Sequence, residues 1–496
     1  MSSKDGPTTP DEQSEYRLLI GGERVAGDRG TYAITNPATE GTVGHAPEAS
    51  VEQAEAAATA ASAAFGEWSR TKPEHRAELL NRAGDLMRER IEDLIPLVQA
   101  ETGATLRLTQ TMQVPTCIER LRRYAKGAVE PSYIPLPPSE MPTTTLAPGG
   151  LMGAMVVRQP AGVVACITPY NFPIVNMAGK VGPALAMGNT VIVKPAPQDP
   201  LGVIRFGEIF DDAGFPPGVV NVVTGSGIDV GEAIVASPLV DMVSFTGSTT
   251  VGQRIGEVCG RRMKRQLMEL GGKGAGIVFD DADLRTAIGT ISSVWGFHAG
   301  QICTAPTRVI AQRGVYDQIV GGLQKAAGHM KVGDPLAPDT IVGPIITDVQ
   351  RGRIEALVAT GVEQGAELVV GGDRPDLPTG YYVNPTLLAG CKPDNAAVQQ
   401  EFFGPVVVVV PFDDEDEAVA IANQSEFGLY DYVFTGDTGR GMRVARQLRT
   451  GNVGINTAQR NHEAPFGGFK QSGVGRDGGS FGLHAYTEMQ SIVWPG

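Results

Sequence analysis

From Val163 onward, short and almost purely aliphatic runs alternate with helical stretches, and few folds can satisfy that pattern. The runs are Val163-Val164-Ala165-Cys166-Ile167, Val191-Ile192-Val193, Val219-Val220-Asn221-Val222-Val223 and Met242-Val243-Ser244-Phe245. Leu201 to Ala213 and Asp229 to Ala236, both helical in character, separate them. Strands apolar on both sides must be covered on both faces, which predicts a parallel sheet between layers of helices. Ligands of such sheets bind beyond the carboxyl ends of the strands. A second α/β block begins near Gly271 and takes in Ile277-Val278-Phe279, Thr307 to Ala311 and Val406 to Val410.

The chain has 496 residues, too many for one core, so two or three domains are expected. Residues 1–15, rich in Ser, Thr, Pro and acids, read as a flexible tail. The Ala-rich stretch from Val51 to Phe65 predicts a helix, and Glu74 to Gln99 and Leu106 to Ala128 predict longer amphipathic ones. Pro131 to Pro148 is too proline-dense for helix and reads as a linker or extended arm. Ser480 to Trp494 looks strand-like, suited to pairing with another segment or subunit. No internal repeat stands out.

A net charge of −14 disfavours nucleic acid and anionic membranes, which need basic patches. Cys117, Cys166, Cys259, Cys303 and Cys391 form no CxxC pair, so neither a disulfide framework nor a metal site is expected, and a reducing cytoplasm suits the chain. Met1 to Glu15 lacks the apolar core of a secretory signal, and Val406 to Val410 is far too short to span a bilayer.

Seven local motifs could carry chemistry. Cys303 in Gly300-Gln301-Ile302-Cys303-Thr304 and Glu269 in Met268-Glu269-Leu270-Gly271-Gly272-Lys273 pair a nucleophile with a base, enough to form and release an acyl group, although a lone Cys is usually an inert core residue and Glu269 could equally be a helix-end carboxylate. Asn171, in Pro169-Tyr170-Asn171-Phe172-Pro173, is a side-chain N–H donor held between two prolines, as an oxyanion hole requires; its bland alternative is an Asn satisfying its own turn. Lys194, in Val193-Lys194-Pro195-Ala196, ends a strand and can reach a ribose or phosphate, or simply lie on the surface. Phe245-Thr246-Gly247-Ser248-Thr249-Thr250-Val251-Gly252 opens a helix and suits a pyrophosphate, although Ser248 or Thr249 could be a plain N-cap. Glu401-Phe402-Phe403-Gly404-Pro405 and Pro465-Phe466-Gly467-Gly468-Phe469-Lys470-Gln471-Ser472-Gly473 complete the set.

In this order and spacing the seven motifs resemble the aldehyde dehydrogenase superfamily, from about Leu18 to Trp494. The resemblance implies an α/β protein with a dinucleotide-binding parallel-sheet domain (16–132 and 161–270), a catalytic domain (271–479) and a small β oligomerisation arm (133–160 and 480–496). It implies a homodimer or homotetramer that oxidises a small-molecule aldehyde to the acid with NAD, NADP being the alternative. Cys303 would be the nucleophile, Asn171 the oxyanion donor and Glu269 the base that activates the hydrolytic water. Thr168, Pro169, Lys194, Pro197, Gly247, Ser248, Gly271, Glu401 and Phe403 would contact the cofactor. The substrate pocket would be formed by Asn176, Gly179, Phe297, Ile302, Thr304, Arg460 and Phe466. Transfer of the acyl group to coenzyme A and a non-catalytic protein keeping the fold are the competing readings; the presence of Glu269 disfavours the first, and that of Cys303, Asn171 and Glu269 together the second.

Three departures from the commonest family pattern bear on specificity. Pro197 stands where many members carry a Glu that grips the ribose 2′-hydroxyl, which makes NADP more tolerable while NAD stays favoured. Asp477, in Gly475-Arg476-Asp477, keeps a carboxylate one methylene shorter than the usual Glu. Asn176, Gly179 and the polar loop Asn456-Thr457-Ala458-Gln459-Arg460-Asn461-His462-Glu463 predict a roomy pocket admitting polar or anionic aldehydes, unless Arg460 merely pairs with Glu463.

Overall fold

A computed structural model describes residues 16–495; the tail expected over residues 1–15, and Gly496 at the end of the arm, lie outside the described residues. The aliphatic runs form the centre of an eight-stranded sheet. Arg265–Glu269, Met242–Thr246, Val163–Ile167, Thr190–Lys194 and Val220–Val222 lie side by side and parallel. Every residue of Val163–Ile167 and Thr190–Lys194 is buried, as strands covered on both faces must be. The strand order reverses between Val163–Ile167 and Met242–Thr246, which opens a crevice at their carboxyl ends. Antiparallel strands Leu18–Ile20 and Glu23–Val25 close one edge, and Gly473–Val474 closes the other. That last strand comes from the stretch assigned to the second block by sequence, so the chain crosses back to the first sheet before it ends.

The second sheet has seven strands in the order Glu367–Val370, Thr386–Ala389, Val406–Phe412, Arg308–Gln312, Ala275–Val278, Tyr430–Phe434 and Asn452–Ile455. All neighbours are parallel except the first pair. Its central Val406–Val410 run is wholly buried. A third sheet joins Tyr133–Met141, Gly150–Pro160 and Thr487–Pro495, all antiparallel. The proline-dense segment thus contributes the strand Tyr133–Met141, whose side chains are exposed along its whole length, and Pro142 to Pro148 form the turn that follows it.

Three expectations need correction, two of helices and one of a strand. The stretch from Glu74 to Gln99 is two helices, Pro73–Glu89 and Ile91–Thr102, bent at Arg90 so that Leu79, Leu80 and Met87 and then Leu94 and Val98 can all reach the core. Leu106 to Ala128 is continuous but widens into a π-helical turn at Thr109–Gln113, beside Pro115, whose missing N–H breaks the ordinary ladder. The C-terminal strand starts only at Thr487; Gly479–Ala485 is a helix that buries Leu483 against Gly127.

Candidate active site

The two sheets meet across a cavity of about 1210 Å³ lined by Cys303, Glu269 and Asn171 together. Cys303 follows a tight turn in which His298, Ala299 and Gly300 all have positive φ. That turn is held from both sides. His298 Nε2 donates to the Asn171 carbonyl (2.9 Å), and Gln301 Nε2 donates to the His298 and Pro344 carbonyls (3.0 and 3.2 Å). Asn171 Nδ2 donates to the Gln301 carbonyl at 2.8 Å, so the amide is fixed two residues before the thiol, with one N–H left over. A Cβ on Gly272 would overlap the Cys303 carbonyl, so the Gly-Gly pair lets the Glu269 strand end run against the nucleophile loop.

Cys303 is half-buried, and burial pushes its thiol up to about 12, with Glu401 and Glu269 adding to the rise and Arg460 opposing it. Glu269 is buried, and neither of its carboxylate oxygens has a hydrogen-bond partner among the described residues. Burial lifts it well above the usual carboxylate range; Asp477 adds to the rise, while Lys180, Arg476 and Arg460 oppose it. Lys180, fully buried, donates to Ser244 Oγ at 3.2 Å and is itself lowered by burial.

Thr168, Pro169, Lys194, Pro197, Gly247, Ser248, Gly271, Glu401 and Phe403 all line the cavity. Thr168, Pro169, Gly247 and Ser248 sit where the strand order reverses. Lys194 is buried, donates to the Pro195 and Gly225 carbonyls (3.0 and 3.4 Å), and is lowered by desolvation to about 8. Ser248 is the N-cap of Thr249–Arg262, accepting from the Val251 N–H, so the capping role and a place at the cavity coexist. Glu401 accepts from the Gly272 N–H at 2.8 Å, and burial raises it to about 7. Phe403 meets Tyr170 edge to face, centroids 5.9 Å apart.

Asn176, Phe297, Ile302, Thr304, Arg460 and Phe466 line the same cavity, and Gly179 does not. The space expected at Gly179 is taken: a Cβ there would lie 2.5 Å from Arg120 Nη1. Nor does Arg460 pair with Glu463. Glu463 pairs with Arg123 at 2.8 Å, and the Arg460 guanidinium lies over the Phe466 ring, 3.9 Å from its centroid.

The family model described as "Aldehyde dehydrogenase family" matches residues 25–492. The chain belongs to the aldehyde dehydrogenase family. It is 37% identical over 463 residues to a 3-succinoylsemialdehyde-pyridine dehydrogenase of a Pseudomonas species, covering 93% of this chain and 94% of that one. It is 38% identical over 487 residues to a 3-sulfolactaldehyde dehydrogenase of Pseudomonas putida, covering 97% of each. The structure of a betaine aldehyde dehydrogenase from Staphylococcus aureus in complex with NAD+ matches with a TM-score of 0.92 at 35% identity, covering 97% of this chain and 95% of that one.

As an aldehyde dehydrogenase the protein oxidises an aldehyde with NAD(P). The crevice suits that cofactor: buried Thr168 Oγ1 has no partner among the described residues, and the amino end of a fourteen-residue helix opens at exposed Ser248. No helix among the described residues is long and apolar enough to cross a membrane. Among these residues no group of three His, Cys, Asp or Glu could hold a metal ion.

Motif reading missed Arg120, Gln350, Arg353 and Tyr432, which also line the cavity. Arg120 sits in the run Arg120-Leu121-Arg122-Arg123, which reads as a solvated helix face, and no local signal separates it from its neighbours.

Proposed function

We propose that this aldehyde dehydrogenase is of the hydrolytic type, acylated on Cys303 and deacylated through Glu269. The observation that carries the reading is the meeting of Cys303, Glu269 and the anchored Asn171 amide in one cavity that continues to Lys194 and Ser248. When bound, NAD(P) supplies a hydride acceptor and a positive charge beside a thiol that the protein alone holds in its neutral form. Cys303 gives up its thiol proton to solvent and Sγ attacks the aldehyde carbon, giving a thiohemiacetal whose oxyanion accepts from the free Asn171 Nδ2–H and the Cys303 backbone N–H. Loss of hydride from that carbon leaves a thioester on Cys303. Glu269, ionised, takes a proton from water as the water oxygen bonds to the thioester carbon; the C–S bond breaks, the acid leaves, and the proton held by Glu269 restores the thiol.

Lys194 and Pro197 line the adenosine-ribose end of the cavity, Ser248 the pyrophosphate region and Glu401 the nicotinamide ribose. NAD is the favoured cofactor because Glu48 and Asp229 both act on Lys194, a poor surrounding for a 2′-phosphate. The arm is the oligomer interface, giving a dimer or tetramer: Met489, Ile492, Val493 and Trp494 stand exposed on Thr487–Pro495, an unusual density of apolar side chains for a free surface. A cytoplasmic location fits five cysteines without a disulfide. Absorbance at the reduced-nicotinamide band with a simple aldehyde tests the reading. A rise with NAD or NADP is expected from wild type and not from Cys303→Ala; equal rates from the two would refute it.

A further inference from the structure

The substrate end of the cavity carries more positive charge than an uncharged aldehyde calls for. Arg120 and Arg460 both line it, and Arg120 is close enough for its charge to act on Arg460. Arg460 also acts on Cys303. Among the described residues Arg460 makes no hydrogen bond and no ion pair; its guanidinium only stacks on Phe466. Arg120 gives one N–H to the Val175 carbonyl at 2.7 Å and likewise has no ion pair. A guanidinium has five N–H donors in a fixed fork, so most of both forks is unclaimed. Two neighbouring cations repel, and the arrangement makes sense when an anion joins them.

The surrounding groups do not supply that anion. Glu463 is committed to Arg123. His462 is pushed down by burial and by Arg460, Arg120 and Arg123, so it is neutral and adds no charge at neutral pH. Burial favours protonated Glu269 in the free enzyme. Asp477 is the one carboxylate left lining this end, and its Oδ1 already accepts from the Gly478 N–H (2.7 Å) and from the Tyr124 hydroxyl (3.4 Å). One carboxylate against two guanidinium groups leaves a net positive charge facing the substrate.

We propose that Arg120 and Arg460 form a two-guanidinium clamp that selects aldehydes carrying an anionic group, a carboxylate or a sulfonate, at the end remote from the carbonyl. Gly179 belongs to the device as a positioning residue, since only a missing side chain leaves Arg120 its place. The inference rests on the hydrolytic dehydrogenase reading and narrows its substrate.

The test is kcat/KM for four aldehydes of matched length: 4-oxobutanoate, a sulfonate-bearing analogue, butanal and a trimethylammonium-bearing aldehyde. Wild type is expected to prefer both anionic substrates over butanal by at least about tenfold, with the cationic one poorest. Arg460→Gln and Arg120→Gln should each cut the anionic-to-neutral ratio by about tenfold to a hundredfold, mainly through KM. Preference for only one anion names the source of the charge. A wild-type ranking blind to charge would overturn the clamp while leaving the dehydrogenase reading intact, as would a ratio unchanged in both variants. No turnover of any of the four would instead count against the dehydrogenase reading.

Discussion

Replacing Glu269 by Gln separates the two halves of the proposed reaction. The carboxyl group is buried, and its oxygens accept no hydrogen bond among the described residues, so the substitution removes the ionisable group without breaking an observed contact. Gln is nearly isosteric, and Gly467 beside Oε1 leaves the pocket shape unchanged. Fold and acylation should therefore survive. A general base contributes about 10²–10⁴ in rate, equivalent to about 2.7–5.5 kcal/mol. In a stopped-flow experiment the variant should give a burst of about one reduced nicotinamide per active site, the stoichiometry of a single acylation. A steady state slowed by about 10²–10⁴ should follow. The melting temperature should hold, since one buried, uncharged polar group replaces another of nearly the same shape. Loss of the burst together with the steady state would put Glu269 in acylation and refute the division of labour; an unslowed steady state would remove it from catalysis.

Asn171→Ala should lower kcat by about 10²–10³ by removing one oxyanion donor, read in steady-state kinetics against an unchanged cofactor Kd. Pro197→Glu should shift the NADP-to-NAD ratio of kcat/KM at least about tenfold toward NAD, because the new carboxylate would face the 2′-phosphate; an unchanged ratio would show that the residue lies away from the ribose. The pH dependence follows from the raised Glu269: a base must be ionised, so turnover limited by deacylation should climb as pH rises through a value above the ordinary carboxylate range, and Glu269→Gln should lose that limb. Ile492→Glu on the arm should give a smaller species in sedimentation, as a charge placed in an apolar interface would.

The buried parallel strands were legible because a sheet covered on both faces admits little but aliphatic residues, and Val163–Ile167 and Val406–Val410 say so locally. The bend at Arg90 was not, since helix propensity runs through it and only packing on two sides of the core demands the break. The helix at Gly479–Ala485 hid for a similar reason: its assignment depends on Leu483 meeting Gly127, far away in sequence. At the site, the meeting of Cys303, Glu269 and Asn171 in one cavity was expected from the joint order and spacing of the motifs, since each motif alone has an ordinary structural reading. Arg120 was not, for its meaning comes from Gly179 on another helix, and Gly179 was itself read as empty space. The strand Gly473–Val474 shows the same limit, because backbone pairing across the two blocks leaves no mark in so short a segment.

Peptide mass analysis of the Glu269→Gln protein, quenched after mixing with NAD and an aldehyde, tests the central claim most directly. The account predicts one acyl adduct on the peptide containing Cys303, in proportion to the reduced nicotinamide formed, and none on Cys117, Cys166, Cys259 or Cys391. Reduced nicotinamide without an adduct on Cys303, or an adduct on another cysteine, would contradict it.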